Sequence, residues 1–303
     1  MGVLVLAGCR KATPEPADSP NFGSIVVAAD ESFRPLVDAE AQVFMALYPG
    51  THLETRYMAE DAAIRELLDG TARLAVVARA WSIGEAEELQ AQQITPRAVT
   101  IAKDAVAIIL HPSNPDSMLT MEDLRRVVEG QLVRWSDVSD LNGAGDIALV
   151  FDQDRSSNLN FILSKFGLSS LEGVRVYATR SNAEVIDYVA SHPEALGIIG
   201  AAWISDLDDP GQQAFISQVR VAALSTGSDG QSGGWYKPYQ DHLALDRYPL
   251  VRDVVILSRE ARIGLGTGFI AHVASERGQR IILKSGLLPV TMPERDIVTK
   301  DTF

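Results

Sequence analysis

Four short polar stretches stand where apolar runs give way to helix-period segments, and each carries side chains able to hold an anion. They are Asp30-Glu31-Ser32-Phe33, Glu60-Asp61, Arg79-Ala80-Trp81 and Arg155-Ser156-Ser157-Asn158. Hydroxyl and amide groups donate short hydrogen bonds, and a guanidinium offers a planar fork of donors. A stretch of this kind that opens a helix adds unpaired backbone N–H groups and the positive end of the helix dipole. A tetrahedral oxyanion suits such a set of donors. The same residues also have plainer uses. Ser, Asn and Asp cap helices, which is the reading for Ser181 and stays open for Ser32. For Arg79 the alternative is a salt bridge to Glu60 or Asp61, and Arg155 either reaches a ligand or points to solvent.

Catalytic constellations are missing. His52, His111, His192, His242 and His272 never fall three or four residues apart, so no zincin-like metal pair exists. No Gly-x-Ser-x-Gly elbow occurs, and Cys9 lies outside any such context. Gly264-Leu-Gly-Thr-Gly268 lacks the dinucleotide fingerprint and a P-loop lysine. Asp30 beside Glu31 has no nucleophile or metal partner for acid–base work. We expect no enzyme, no metal and no cofactor.

Positioning these turns requires alternating strands and helices. Ser24–Ala29, His52–Tyr57, Arg73–Ala78, Asp104–Leu110, Ile147–Phe151, Leu196–Ile199, Val219–Leu224 and Val251–Leu257 read as strands. A helix with Phe33, Leu36, Val37, Val43, Phe44 and Leu47 on one face follows the first strand. Further helices run to Leu68 before Gly70, from a capping-box start at Thr120, and over about 158–166, 181–191, 267–277 and 280–285. This alternation is that of an α/β protein, whose ligands sit outside the carboxyl ends of the strands. Asp104–Leu110 is long and apolar enough to pass between two lobes.

The chain of 303 residues, 46% hydrophobic and 22% charged, has the profile of a globular protein. Its net charge of −13 repels phosphate backbones, so nucleic acid is not an expected partner. The single cysteine excludes an internal disulfide. It stands in Leu6-Ala7-Gly8-Cys9, which resembles the lipobox of bacterial lipoproteins, ahead of the Pro-rich stretch Arg10–Pro20. Residues 1–9 then read as a truncated lipoprotein signal with lipidation at Cys9, and 10–21 as a flexible tether.

A wider set of residues resembles the phosphate-binding proteins of ABC transporters, in their type II periplasmic-binding-protein family. The set is Ala28–Phe33 with Pro35-Leu36, Tyr48-Pro49, Ala75–Arg79, Ile101–Val106, Asn114-Pro115, Leu119-Thr120, Gly130 and Trp135–Asp137. It continues with Tyr248–Leu250, Gly264–Phe269, Gly278-Gln279 and Lys284–Pro289, in the family's order over about 22–298. The resemblance implies a two-lobe Venus-flytrap α/β fold with mixed sheets flanked by helices. Lobe 1 would be discontinuous, 22–103 plus 224–303, and lobe 2 would be 104–223. Crossovers near Lys103–Asp104 and Leu224–Ser225 would serve as the hinge.

Carried over position by position, the resemblance implies a ligand site of Ser32, Phe33, Glu60, Arg79, Arg155, Ser156, Ser157 and Asn158. Ser32-Phe33 matches the pair whose backbone N–H and hydroxyl hold one oxygen. Arg155–Asn158 matches the second-lobe loop, so Ser156, Ser157 and Asn158 would cap the ligand from the other side. Glu60-Asp61 departs from the serine often found there. Ala78-Arg79 replaces an aspartate that accepts the phosphate proton, a task left to Asp30, Glu31 or Glu60. The implied function is capture of phosphate, or another tetrahedral oxyanion, for an ABC transporter permease. The protein would be a monomer, lipid-anchored at the periplasmic or outer face of a bacterial membrane. A sensing or adhesion lipoprotein with the same cleft is the alternative.

Overall fold

A computed structural model describes residues 18–139, 145–171, 173–206, 208–227 and 234–291. Cys9 and most of the expected tether lie outside the described residues. The first lobe opens with β1 (Gly23–Asp30), α1 (Arg34–Leu47), β2 (Thr51–Met58), α2 (Glu60–Asp69), β3 (Leu74–Val77) and α3 (Ile83–Ala91). Next, β4 (Arg97–Leu110) runs into the second lobe, which holds β5 (Met118–Thr120), α4 (Met121–Val128), β6 (Ala148–Phe151), α5 (Ser157–Phe166) and β7 (Val176–Ala178). Then come α6 (Asn182–Ser191), β8 (Ala195–Gly200), α7 (Pro210–Gln218), β9 (Arg220–Val221), β10 (Ala223–Ser225) and α8 (Gln240–Ala244). The chain returns through β11 (Val251–Ser258), α9 (Leu265–Ala274), α10 (Glu276–Lys284) and β12 (Leu288–Pro289).

The main sheet has the order β2-β1-β3-β11-β4-β8-β6-β7. β1 pairs parallel with β2 and β3, whereas β11 lies antiparallel between β3 and β4. β4 spans both lobes: its first half pairs with β11, and Val106–Leu110 pairs antiparallel with β8. The side-chain period of two sends Val27 and Ala29 into the core under α1 and α9, and Ala28 into the core under α2. The second lobe has its own core around fully buried Trp135, whose indole N–H donates to the Glu194 carbonyl at 2.9 Å.

Three departures from the sequence expectations have physical causes. α3 was not expected, because only Leu89 of its apolar side chains is buried. Its start is fixed instead by the Ser82–Glu85 capping box. The return crossover was expected at Leu224–Ser225. In the structure Leu224, Leu243, Tyr248 and Leu250 pack in the second core, and β11 makes the return. Finally, the segment expected as tether is docked at its end. The buried Asp18 carboxylate accepts from Arg73 at 2.8 Å, from Arg262 and from the Leu265 N–H at 2.9 Å, at the start of α9. Among the described residues no helix is long and apolar enough to cross a membrane.

Candidate functional site

β1 ends at Asp30, and the chain turns through a short 3-10 helix, Glu31–Phe33, before α1. On the opposite lobe α5 opens at Ser157 and α6 at Asn182. These ends meet, and the residues there have essentially no solvent exposure: Asp30, Ser32, Ser157, Asn158 and Asn182 are each at 0%.

The donors converge on one carboxylate. Asp30 Oδ1 accepts from the Ser32 N–H at 3.0 Å, from the Ser32 hydroxyl, and from the Ser157 hydroxyl at 2.6 Å. Asp30 Oδ2 accepts from the Ser157 N–H at 2.8 Å. Ser157 Oγ in turn accepts from Arg252 Nη1 at 2.9 Å. Arg252, on β11, places Nε and Nη2 on Asp104 Oδ2 at 3.1 and 2.8 Å, with both side chains buried. Its guanidinium also lies 4.8 Å from the centre of the Phe33 ring. The site is thus a ring of backbone and hydroxyl donors from both lobes, braced by one buried cation.

A second carboxylate follows. Glu31 Oε2 accepts from the Asn182 N–H at 2.9 Å and from its side-chain amide at 2.6 Å. Asn182 Oδ1 accepts from Asn158 Nδ2 at 3.0 Å and from the Gly200 N–H at 2.8 Å. Glu31 Oε1 and Asn158 Oδ1 are buried acceptors without a hydrogen-bond partner among the described residues. Glu60 links the lobes at the side, accepting from the Ala78 N–H at 2.8 Å and from Asn160 at 3.0 Å.

So many acids in a dry place cannot all be ionised. Burial, helped by the charges of Asp152 and Asp30, pushes the Glu31 carboxyl up to about 7 despite its Asn182 bonds. Burial and then the Asp30 charge push Asp152 up to about 7. Burial also raises Glu60, and it raises Asp104 against the pull of Arg252. At neutral pH part of this cluster carries protons, so a carboxyl can donate as well as accept.

The structure brings Ser32, Phe33, Glu60, Ser156, Ser157 and Asn158 together, but in differing roles. Ser156 is the N-cap of α5, accepting from the Leu159 N–H and donating to Asp152 at 2.7 Å. Ser181 caps α6, as expected. Phe33 contributes a buried ring beneath Arg252. Arg79 and Arg155 stay at the rim. The Arg79 fork lies on Glu85, both contacts at 2.8 Å, with Asp61 at 3.8 Å and Glu60 at 3.9 Å. The expected alternative, a salt bridge, therefore has Glu85 as its main partner. Arg155, in the left-handed region at φ 60°, is largely exposed and reaches Asp61 across the cleft at 3.4 Å. Arg252, Asp104 and Asn182 were missed. Only a charge inside the apolar runs of two strands signalled the first two. Among the described residues no group of three or more His, Cys, Asp or Glu is placed to hold a metal ion.

Comparison with known proteins gives a consistent picture. A family model described as a PBP superfamily domain matches residues 14–277. The phosphate-binding protein PstS of Bacillus subtilis is 22% identical over 276 residues, covering 89% of this chain and 81% of the relative. Among solved structures, a Clostridium perfringens substrate-binding protein with bound phosphate superposes with a TM-score of 0.73 at 21% identity, over 89% of this chain and 100% of that one. An ABC-type phosphate transport receptor from Vibrio cholerae gives 0.65 at 22% identity, over 88% and 100%.

Proposed function

The chain belongs to the PBP superfamily, and from that premise we propose that it captures phosphate or a similar tetrahedral oxyanion between its lobes. The captured anion is passed to an ABC transporter permease. One observation carries this reading: N–H and O–H donors of Ser32 and Ser157, from opposite lobes, converge on a single pair of carboxylate oxygens. Donors arranged for one oxyanion suit another of the same charge and oxygen spacing. Ser32 and Ser157 form this cradle, with Arg252 supporting Ser157 and Phe33 beneath Arg252; Asn158 stands next to it and is tied to Asn182. The relatives support transport, since those named above include a phosphate-binding protein and an ABC-type phosphate transport receptor.

Calorimetric titration with phosphate, sulfate, molybdate and a sugar phosphate tests the reading. Heat with phosphate or another tetrahedral oxyanion is expected, and no heat with any of them removes it. We further propose an extracytoplasmic lipoprotein anchored through Cys9, on the strength of Leu6-Ala7-Gly8-Cys9. Wild-type and Cys9→Ser forms that partition equally in a detergent phase separation would end that part.

A further inference from the structure

The oxyanion cradle already holds an anion that belongs to the chain itself. Asp30 and Ser32 are on the first lobe, Ser157 on the second, so one side chain ties the lobes together. The next residue repeats the pattern, since Glu31 is seated on the Asn182 N–H at the start of α6. These partners lie 127 and 151 residues away in sequence. Neither helix needs them as caps, because Ser156 and Ser181 cap α5 and α6 from the usual preceding position. Both acids are buried. Asp30 caps the 3-10 helix through Ser32 on its own lobe and draws its other two donors from Ser157 across the cleft, and the hydrogen bonds to Glu31 Oε2 come from Asn182 across the cleft.

We propose that Asp30 is an internal competitor for the oxyanion and, with Glu31, a latch that holds the lobes closed. An incoming oxyanion has to lift the Asp30 carboxylate out of the Ser32–Ser157 cradle. The exchange replaces one set of charge-assisted hydrogen bonds by another of the same kind, so affinity reflects only their difference. The competition rests on the oxyanion reading. The latch rests on the interlobe bonds alone.

Two measurements on wild type, Asp30→Ala and Asp30→Asn separate these parts. The first is the radius of gyration by small-angle scattering after exhaustive dialysis against oxyanion-free buffer. The Ala variant is expected to be larger than wild type, and equal radii overturn the latch. The second is titration with inorganic phosphate. Asp30→Ala is expected to bind about tenfold tighter or more, and equal or weaker binding overturns the competition. Asp30→Asn, which keeps the shape but loses the charge and one acceptor, should fall between the two; it carries both measurements if the Ala variant does not fold. If no form takes up phosphate, sulfate or molybdate, the oxyanion reading falls while the scattering comparison still decides the latch.

Discussion

Replacing Arg252 by methionine tests whether the site and the crossover between lobes share one fastening. The guanidinium gives two hydrogen bonds to Asp104 and one to Ser157, and both charged side chains are almost wholly buried. Methionine fills a similar volume but leaves the Asp104 carboxylate in the interior without its cation. Removing one partner of a buried pair costs about 3–5 kcal/mol, far more than the pair is worth against two neutral residues. Urea unfolding at neutral pH should therefore show Arg252→Met destabilised by about that amount. Adding Asp104→Asn should recover most of the loss, because no charge is then left alone. A single variant that loses under about 1 kcal/mol, or a double variant whose loss is the sum of the singles, refutes the reasoning. The refolded double variant then isolates the support that Arg252 gives to Ser157. A hydrogen bond is worth about 0.5–1.5 kcal/mol, so phosphate should bind it roughly two- to tenfold more weakly.

Other outcomes follow from the same geometry. Glu31 and Asp152 are raised from 4.5 and 3.8 to about 7, so between those values the folded chain holds more protons than the unfolded chain. Their favourable contribution is complete below about pH 4 and is lost as the pH rises through about 7, a change of about 3 kcal/mol for Glu31 alone. The urea midpoint should fall between pH 5 and pH 8, and an equal or higher midpoint at pH 8 contradicts this. Arg79→Ala should cost about 1 kcal/mol of stability and change phosphate affinity less than twofold, since its fork is held by Glu85. Tenfold weaker binding in a titration would bring Arg79 into the cradle. A Cβ added at Gly200 would meet Ser32 Cβ at 2.9 Å and the Ser32 carbonyl at 3.2 Å. Gly200→Ala should thus destabilise by about 1–3 kcal/mol and enlarge the radius of gyration, and an unchanged radius would show that the lobes absorb the methyl group.

What was legible in the sequence was local. Ser32 and Ser157 stand out because they sit between an apolar run and a helical period, where a residue either caps the helix or faces a ligand. The caps at Thr120 and Ser181 follow from the same short-range logic. Arg252 could not be assigned this way, since its partner Asp104 is 148 residues distant and only the sheet order makes them neighbours. Asn182 carries an ordinary helix-start signal, and its bond to Glu31 exists only because two lobes meet. Arg79 looked free for a ligand because α3, which carries Glu85, shows too thin an apolar stripe to be read. The return crossover was placed early for a related reason: residues 224–250 hold few periodic apolar positions, and their packing on the second core depends on contacts remote in sequence.

The central place of β11 between β3 and β4 also fixes an order of assembly. The buried residues of the second core all lie within one stretch from Ala105 to Leu250, so that lobe can fold largely as soon as the stretch has left the ribosome. The first lobe cannot. β1, β2 and β3 can pair early, but no strand joins them to β4 until Val251–Ser258 is made. Closing that gap brings together residues about 150 positions apart, a slow search by the measure of contact order. Synthesis of β11 therefore joins β3 to β4 and delivers Arg252 to Asp104 together, ahead of α9, α10 and β12. A nascent chain arrested just before β11 would carry a finished second lobe beside an unfinished first one, with the cleft not yet in existence.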